Sequence, residues 1–272
     1  MIKLFKGFKT TSYVIAGLLA LTLSAQAFSA SPTLDRVLKN NVLKVAMSGD
    51  QPPFNVMSRN KNMIGYDVDL ANYFASTMQV KLEIVQMPFG EIADAVKNGK
   101  ADLAISGMAI TSKRTQDLTF VGPYNISGKS MLTTRTNAEK GKDVDFNNPD
   151  VRIVALKNST SESFARMQLP KAKLKTIADY EEGIKLLLAG DVDAMIADMT
   201  IAKLSVLRNP DAGLITNKSP LSIEPIGIAM ANDDAQFANL VRNYLSTFEK
   251  MGITKKLNEK WFENSAWIAA LP

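Results

Sequence analysis

The chain of 272 residues contains no cysteine and no histidine. Without cysteine there is no disulfide framework, no thiolate nucleophile, no thiolate-held zinc or iron–sulfur cluster, and no thiol for a lipid anchor. Without histidine there is no Ser-His-Asp triad, and no imidazole to serve as acid, base or metal ligand near neutral pH. Aromatic residues are scarce, at 7%. Any chemistry must run on carboxylates, lysine, arginine, hydroxyls and backbone groups, and no cofactor or metal site is expected. The remaining composition is 46% hydrophobic and 22% charged, with 15 glycines and 11 prolines. That excludes disordered, collagen-like and coiled-coil classes and leaves a globular protein with ample core.

The first residues read as an export address. Lys3, Lys6 and Lys9 precede an apolar stretch from Tyr13 to Leu23, and Ala25-Gln26-Ala27 supplies a small-x-small cleavage pattern. The stretch is too short for a membrane span, which needs about 20 apolar residues. Cleavage after Ala27 removes three lysines and no acid, so the formal charge of +5 overstates the basicity of the mature protein. No cluster of lysine and arginine interleaved with aromatics remains, so no nucleic-acid partner is expected. The expected location is the periplasm.

Beyond Ala27 the pattern alternates between strand and helix. Val42 to Met47 is a short apolar run closed by Ser48-Gly49-Asp50-Gln51-Pro52-Pro53, and Asp67 to Met78 has helical spacing. Leu82 to Met87 and Asp102 to Ser106 read as strands, with a helix from Glu91 to Asn98 between them, stopped by Gly99. This βαβαβ order calls for parallel strands joined by right-handed crossovers. A second block repeats it: strand from Val151, helix from Glu162, strand from Leu174, helix from Tyr180 to Leu188, and strand through Ala197. Gly99 to Met108 lines up with Gly190 to Met199 so that Gly, Asp, Ile and Met coincide. The reading is two similarly built lobes. Ile223 to Met230 (strand) and Gln236 to Glu249 (helix) are too little for a third domain and must pack on an existing lobe. The chain then crosses between lobes twice, near Ser127 to Leu132 and near Leu221 to Gly227, which makes a hinge above a cleft.

Ligands of open parallel sheets sit beyond the carboxyl ends of the strands. In the first lobe those ends are followed by Ser48, Asp50 and Gln51, by Pro88 and Phe89, and by Ser106, Gly107, Met108, Thr111 and Arg114. In the second lobe they are followed by Asn158, Ser159, Thr160 and Ser161, and by Asp198. Arg114 suits a carboxylate through two parallel hydrogen bonds. Ser159 to Ser161 precede a helix whose N–H groups and hydroxyls favour a second anion contact. Asp198 suits an ammonium. A free α-amino acid carries both groups on one carbon, and closing the lobes would satisfy them together. Each residue alone also has a plain structural reading: Asp198, Ser159 and Thr160 as helix caps, Phe89 as core, Arg114 as a solvated charge.

The sequence resembles the bacterial family 3 extracellular solute-binding proteins, the polar amino-acid receptors of ABC importers. The matching segments are Pro52-Pro53-Phe54, Gly65 to Ala71, Gly99 to Asp102, Ile110 to Arg114, Phe120 to Tyr124, Gly190 to Asp198, Pro225 to Ala229, and Lys260-Trp261-Phe262. The resemblance implies an α/β, two-lobed periplasmic-binding-protein type II fold, each lobe a mainly parallel sheet flanked by helices, joined by a two-segment hinge. Its implied boundaries are 1–27 for the signal peptide, 28–127 with 226–272 for the first lobe, and 128–225 for the second. It implies that Arg114 takes the α-carboxylate, Asp198 the α-ammonium and Thr160 a second carboxylate contact. Phe89 becomes a wall of the side-chain pocket, with polar contacts from Ser106 and Gly107. The partners implied are a small-molecule amino acid and an inner-membrane ABC permease, served by a monomer.

Departures from the family pattern bear on the ligand. Asn158 replaces a glycine, Gln51 an aromatic, Ser48 the acid of receptors for basic amino acids, and Ala109 a hydroxyl residue. These point toward a neutral polar or small acidic amino acid. The same fold is similar to periplasmic cyclohexadienyl dehydratases, which convert prephenate or arogenate to aromatic products. Leu34-Asp35-Arg36, Ser48-Gly49-Asp50 and Phe164-Ala165-Arg166 carry that likeness. Their chemistry needs a general acid, which the resemblance implies a few residues after the second-lobe Asp, where this chain has Thr200 and Ile201. A binding protein rather than an enzyme is therefore expected.

Overall fold

A computed structural model describes residues 31–139 and 145–272. The expected signal peptide and residues 140–144 lie outside those residues. The first lobe opens with α1 (Pro32–Asn40), β1 (Val42–Met47), β2 (Asp50–Gln51), β3 (Asn55–Met57) and β4 (Met63–Ile64). It continues through α2 (Tyr66–Thr77), β5 (Lys81–Gln86), α3 (Phe89–Lys97), β6 (Leu103–Ala104) and β7 (Leu118–Ser127). The chain then enters the second lobe with β8 (Lys129–Thr134), α4 (Arg135–Glu139), β9 (Arg152–Leu156) and α5 (Thr160–Gln168). There follow β10 (Lys173–Ile177), α6 (Tyr180–Ala189), β11 (Ala194–Asp198), α7 (Met199–Arg208) and β12 (Leu214–Thr216). β13 (Glu224–Ala231), α8 (Ala235–Lys250) and α9 (Ile253–Asn258) complete the first lobe.

The two sheets run β5-β1-β6-β13-β7 and β10-β9-β11-β8-β12. In each, the first strand of the βαβαβ unit lies between the second and third, all parallel. The remaining two strands of each sheet are antiparallel, so both sheets are mixed rather than simply parallel. The internal echo in the sequence is thus a real structural repeat. Both of its glycines, Gly99 and Gly190, turn the chain after a helix with φ near +70° (+69° and +76°), a conformation that costs glycine little.

One apolar core centres on Leu43, Val45, Tyr66, Phe74, Leu103, Ile228 and Phe237 in the first lobe. A second runs from Phe89 and Ile92 of the first lobe to Leu132, Val154 and Met195 of the second, so the lobes share apolar contact beneath the cleft. The crossing at Gly128 passes so close to the return crossing that a Cβ there would lie 2.1 Å from the Ser222 carbonyl oxygen. Gly65 is required for a similar reason. It has φ +141°, and a Cβ would sit 2.1 Å from the Phe54 carbonyl, which explains the glycine that opens α2.

Three differences from the pattern reading have simple causes. The third strand of the first lobe is only Leu103–Ala104, because Ser106 and Gly107 turn into the cleft loop. β8, β12 and α7 gave no separate signal, since an antiparallel return needs no crossover helix to mark it. The β2-β3-β4 ribbon is too short to show a period.

Candidate functional site

The loop after β6 carries Arg114 at the start of a single 3₁₀ turn, Arg114–Gln116. Thr111 holds that turn, its Oγ1 accepting from the Arg114 backbone N–H at 3.2 Å. The guanidinium donates from Nη1 to the Ala109 carbonyl at 2.8 Å. From Nη2 it reaches across to the Asn158 carbonyl of the second lobe at 3.3 Å. It lies over the Phe89 ring, 5.7 Å from the centroid. Burial lowers its pKa, and the negative charges of Glu224 and Asp198 oppose that fall. Arg114 is therefore a half-buried cation in the field of two carboxylates, with N–H groups left over for a ligand. A groove of about 1030 Å³ runs past Arg114, Thr111, Asn158, Thr160, Ser222 and Glu224.

Opposite Arg114 sits a buried ion cluster. Lys129, 2% exposed, opens β8 directly opposite Asp198, which closes β11. Its Nζ donates to Asp198 Oδ1 at 2.5 Å and lies 3.0 Å from Glu224 Oε2. The Thr160 hydroxyl donates to the same Glu224 oxygen at 2.8 Å. Asp198 occupies the N-cap position of α7, yet its side chain caps nothing there. An Asp at a helix start that forgoes the cap hydrogen bond is committed elsewhere, here to Lys129. Ser159 is a true cap, its Oγ accepting from the N–H groups of Ser161 and Glu162.

Asp50 is a further part-buried acid of the first lobe. Burial raises its pKa first of all, Asp179 adds to the rise, and hydrogen bonds from Ser48 and the Tyr180 backbone N–H oppose it. Its Oδ1 is buried without a hydrogen-bond partner. Asn158 ties the second lobe to the first, its Nδ2 donating to the Gly90 carbonyl at 3.2 Å.

Residues 43–264 match the family model of bacterial extracellular solute-binding proteins, family 3. The chain belongs to that family. Its curated relatives include the cyclohexadienyl dehydratase of Pseudomonas aeruginosa, 27% identical over 246 residues, covering 90% of this chain and 91% of the relative. They also include the ABC transporter arginine-binding protein 1 of Escherichia coli, 25% identical over 228 residues, covering 81% of this chain and 90% of the relative. Among solved structures it resembles an ancestral amino acid-binding protein described as a precursor of cyclohexadienyl dehydratase. That likeness has a TM-score of 0.76 and 34% identity, over 85% of this chain and 99% of the other.

Within this family 3 protein the residues named from sequence fall into two groups. Arg114, Thr111, Thr160 and Ser159 line the groove, Phe89 lies under the Arg114 guanidinium, and Asp198 is joined to the groove residue Glu224 through Lys129. Ser106, Gly107, Met108 and Gln51 do not reach the groove with a free polar side chain in the same way. Ser106 is fully buried, its Oγ accepting from the Ser48 N–H at 3.1 Å. Gly107 N–H donates to the Tyr124 hydroxyl at 3.2 Å, which in turn donates to Asp67 at 2.8 Å. Met108 is 1% exposed and packs in the core. Gln51 is buried, with its Nε2 lacking a hydrogen-bond partner. These residues frame the cleft loop from behind. Asp67 anchors the frame, and burial pushes its pKa up to about 6 against the hydrogen bonds from Tyr124, Asn55 and the Gly107 N–H.

Lys129 and Glu224 were missed because neither follows a parallel strand. The available signal was a lone charge in Gly128-Lys129-Ser130-Met131-Leu132, a run otherwise fit for a buried strand.

Proposed function

We propose that the protein captures a free polar α-amino acid between its lobes and hands it to an inner-membrane ABC permease, acting as a monomeric binding protein in the periplasm. Arg114 carries this reading. A half-buried guanidinium in the field of two carboxylates, with donors unspent, is suited to the carboxylate of a zwitterion whose ammonium meets Asp198 and Glu224. Family members are extracellular or periplasmic binding proteins, and many relatives are named for the amino acids they bind. Thr160 offers the second carboxylate contact, and its hydroxyl also donates to Glu224. The hinge runs through the crossings at Gly128 and Ser222, with 28–127 plus 226–272 moving against 128–225.

A second reading, an enzyme like the cyclohexadienyl dehydratase, draws on that relative and on Asp50, an acid whose pKa burial raises. Against it, the positions after Asp198 are Thr200 and Ile201, the latter 4% exposed and apolar. Mass spectrometry of small molecules released on unfolding the purified protein tests the proposal. A free polar amino acid at near-stoichiometric amount is the expected result. A ligand without an α-amino acid moiety would contradict it.

A further inference from the structure

The ion cluster beneath the cleft holds more charge than an amino acid needs. Capturing an α-ammonium takes one carboxylate, and here there are two, Asp198 and Glu224, with Lys129 between them at 2.5 and 3.0 Å. A buried lysine is costly unless its charge is answered, and both acids answer it. The cluster as a whole carries one negative charge in excess. That excess matches one ammonium, and Arg114 matches one carboxylate. Lys129 engages only Oδ1 of Asp198, while on Glu224 Lys129 and Thr160 engage Oε2 and the Ser222 hydroxyl donates to Oε1 at 3.4 Å. The amine of a ligand can join Lys129 as the second cation of a two-carboxylate, two-ammonium set.

After that pairing no carboxylate of the cluster is left for a cationic side chain. Of the other acids along the groove, Asp117 pairs with Lys97, Glu162 pairs with Arg166, and Asp94 is exposed to solvent. From this charge count we propose that Lys129 is a specificity residue, restricting the site to amino acids whose side chains carry no positive charge. It does so by consuming the carboxylate that would otherwise accept a cationic side chain. This rests on the amino-acid reading above and narrows it.

The experiment is calorimetric titration of the full chain, freed of bound solute by unfolding and refolding, with L-glutamine, L-alanine, L-glutamate, L-arginine and L-lysine. A like charge held a few ångströms from Lys129 should weaken binding by roughly 100-fold, so arginine and lysine should trail the neutral ligands by about that factor. Lys129→Gln should erase most of the difference, and adding Glu224→Gln should restore it, because the second change returns the charge count to its starting value. Lys129→Gln strands two buried carboxylates. If it does not fold, Glu224→Gln alone carries the test with the opposite sign, moving preference from glutamine toward glutamate. Arginine or lysine binding as tightly as the neutral ligands overturns the inference and leaves the amino-acid reading intact. So does a preference unchanged in the folded variants. A panel in which no amino acid binds overturns both.

Discussion

The Lys129 ammonium lies 2.5 Å from Oδ1 of Asp198, across the antiparallel pair formed by β8 and β11. Two strands with little in common in sequence thus meet at one buried ion pair, and Glu224 from a third closes it from the crossing side. Removing either acid changes both the cluster and any ligand amine bound to it.

Asp198→Asn should weaken α-amino acids by about 10- to 100-fold, the range for losing a hydrogen bond to a charged group. Analogues lacking the amine should lose far less. Calorimetry with an amino acid and its deaminated counterpart checks this, and equal losses would leave Asp198 with a structural task only.

Closure should depend on the two crossings. Ligand contacts on separate lobes are satisfied together only when the lobes approach, so ligand shifts the population that way. Small-angle scattering should give a smaller radius of gyration with ligand than without. Gly128→Ala, whose added Cβ meets the Ser222 carbonyl, should destabilise the protein by about 1–3 kcal/mol and blunt the change. A variant with wild-type melting and wild-type closure would place the hinge elsewhere.

Asp67 gives a pH signature. Its folded-state pKa, about 6, lies above the value of 3.8 for a free aspartate. Its contribution to stability is therefore fully present below about pH 4 and is lost as pH rises through 6. The shift corresponds to at most about 3 kcal/mol. Relative to Asp67→Asn, wild type should lose stability between pH 4 and 6 and run parallel above that. Denaturant titrations across this range would contradict the assignment if the difference between the two proteins did not change with pH.

Prephenate and arogenate should not turn over above the buffer rate. General acid catalysis is worth a factor of about 10² to 10⁴, so its absence is easily read from product absorbance. Glu224 accepts hydrogen bonds from Thr160 and Lys129, and Asp50 is an acid whose burial raises its pKa above the ordinary value, which makes it the residue to change. Sustained turnover abolished by Asp50→Asn would make this an enzyme.

The parallel half of each sheet was legible because its signals are local. An apolar run, a helix stopped by Gly99 or Gly190, and a further run carry the βαβαβ order without reference to distant residues. The places of Arg114 and Asp198 in the fold were legible for the same reason, each lying past such a run. Lys129, Glu224 and the Asp67–Tyr124 frame were not. Lys129 meets Asp198 only through an antiparallel pairing 69 residues apart, and Tyr124 reaches Asp67 over 57. Ser106 and Met108 shared the local signal of Arg114 but point into the lobe, since loop direction depends on packing that spacing does not encode.

The most direct test of amino-acid capture is the affinity of the refolded, solute-free protein for free L-amino acids, measured by calorimetry beside Arg114→Ala. Loss of the carboxylate partner should cost about 2–5 kcal/mol, roughly 30- to 4000-fold in affinity, in a variant that remains folded. At least one neutral polar amino acid should bind wild type with one-to-one stoichiometry and fail in Arg114→Ala. Absence of binding by every amino acid, or equal affinity in wild type and folded Arg114→Ala, would contradict the account.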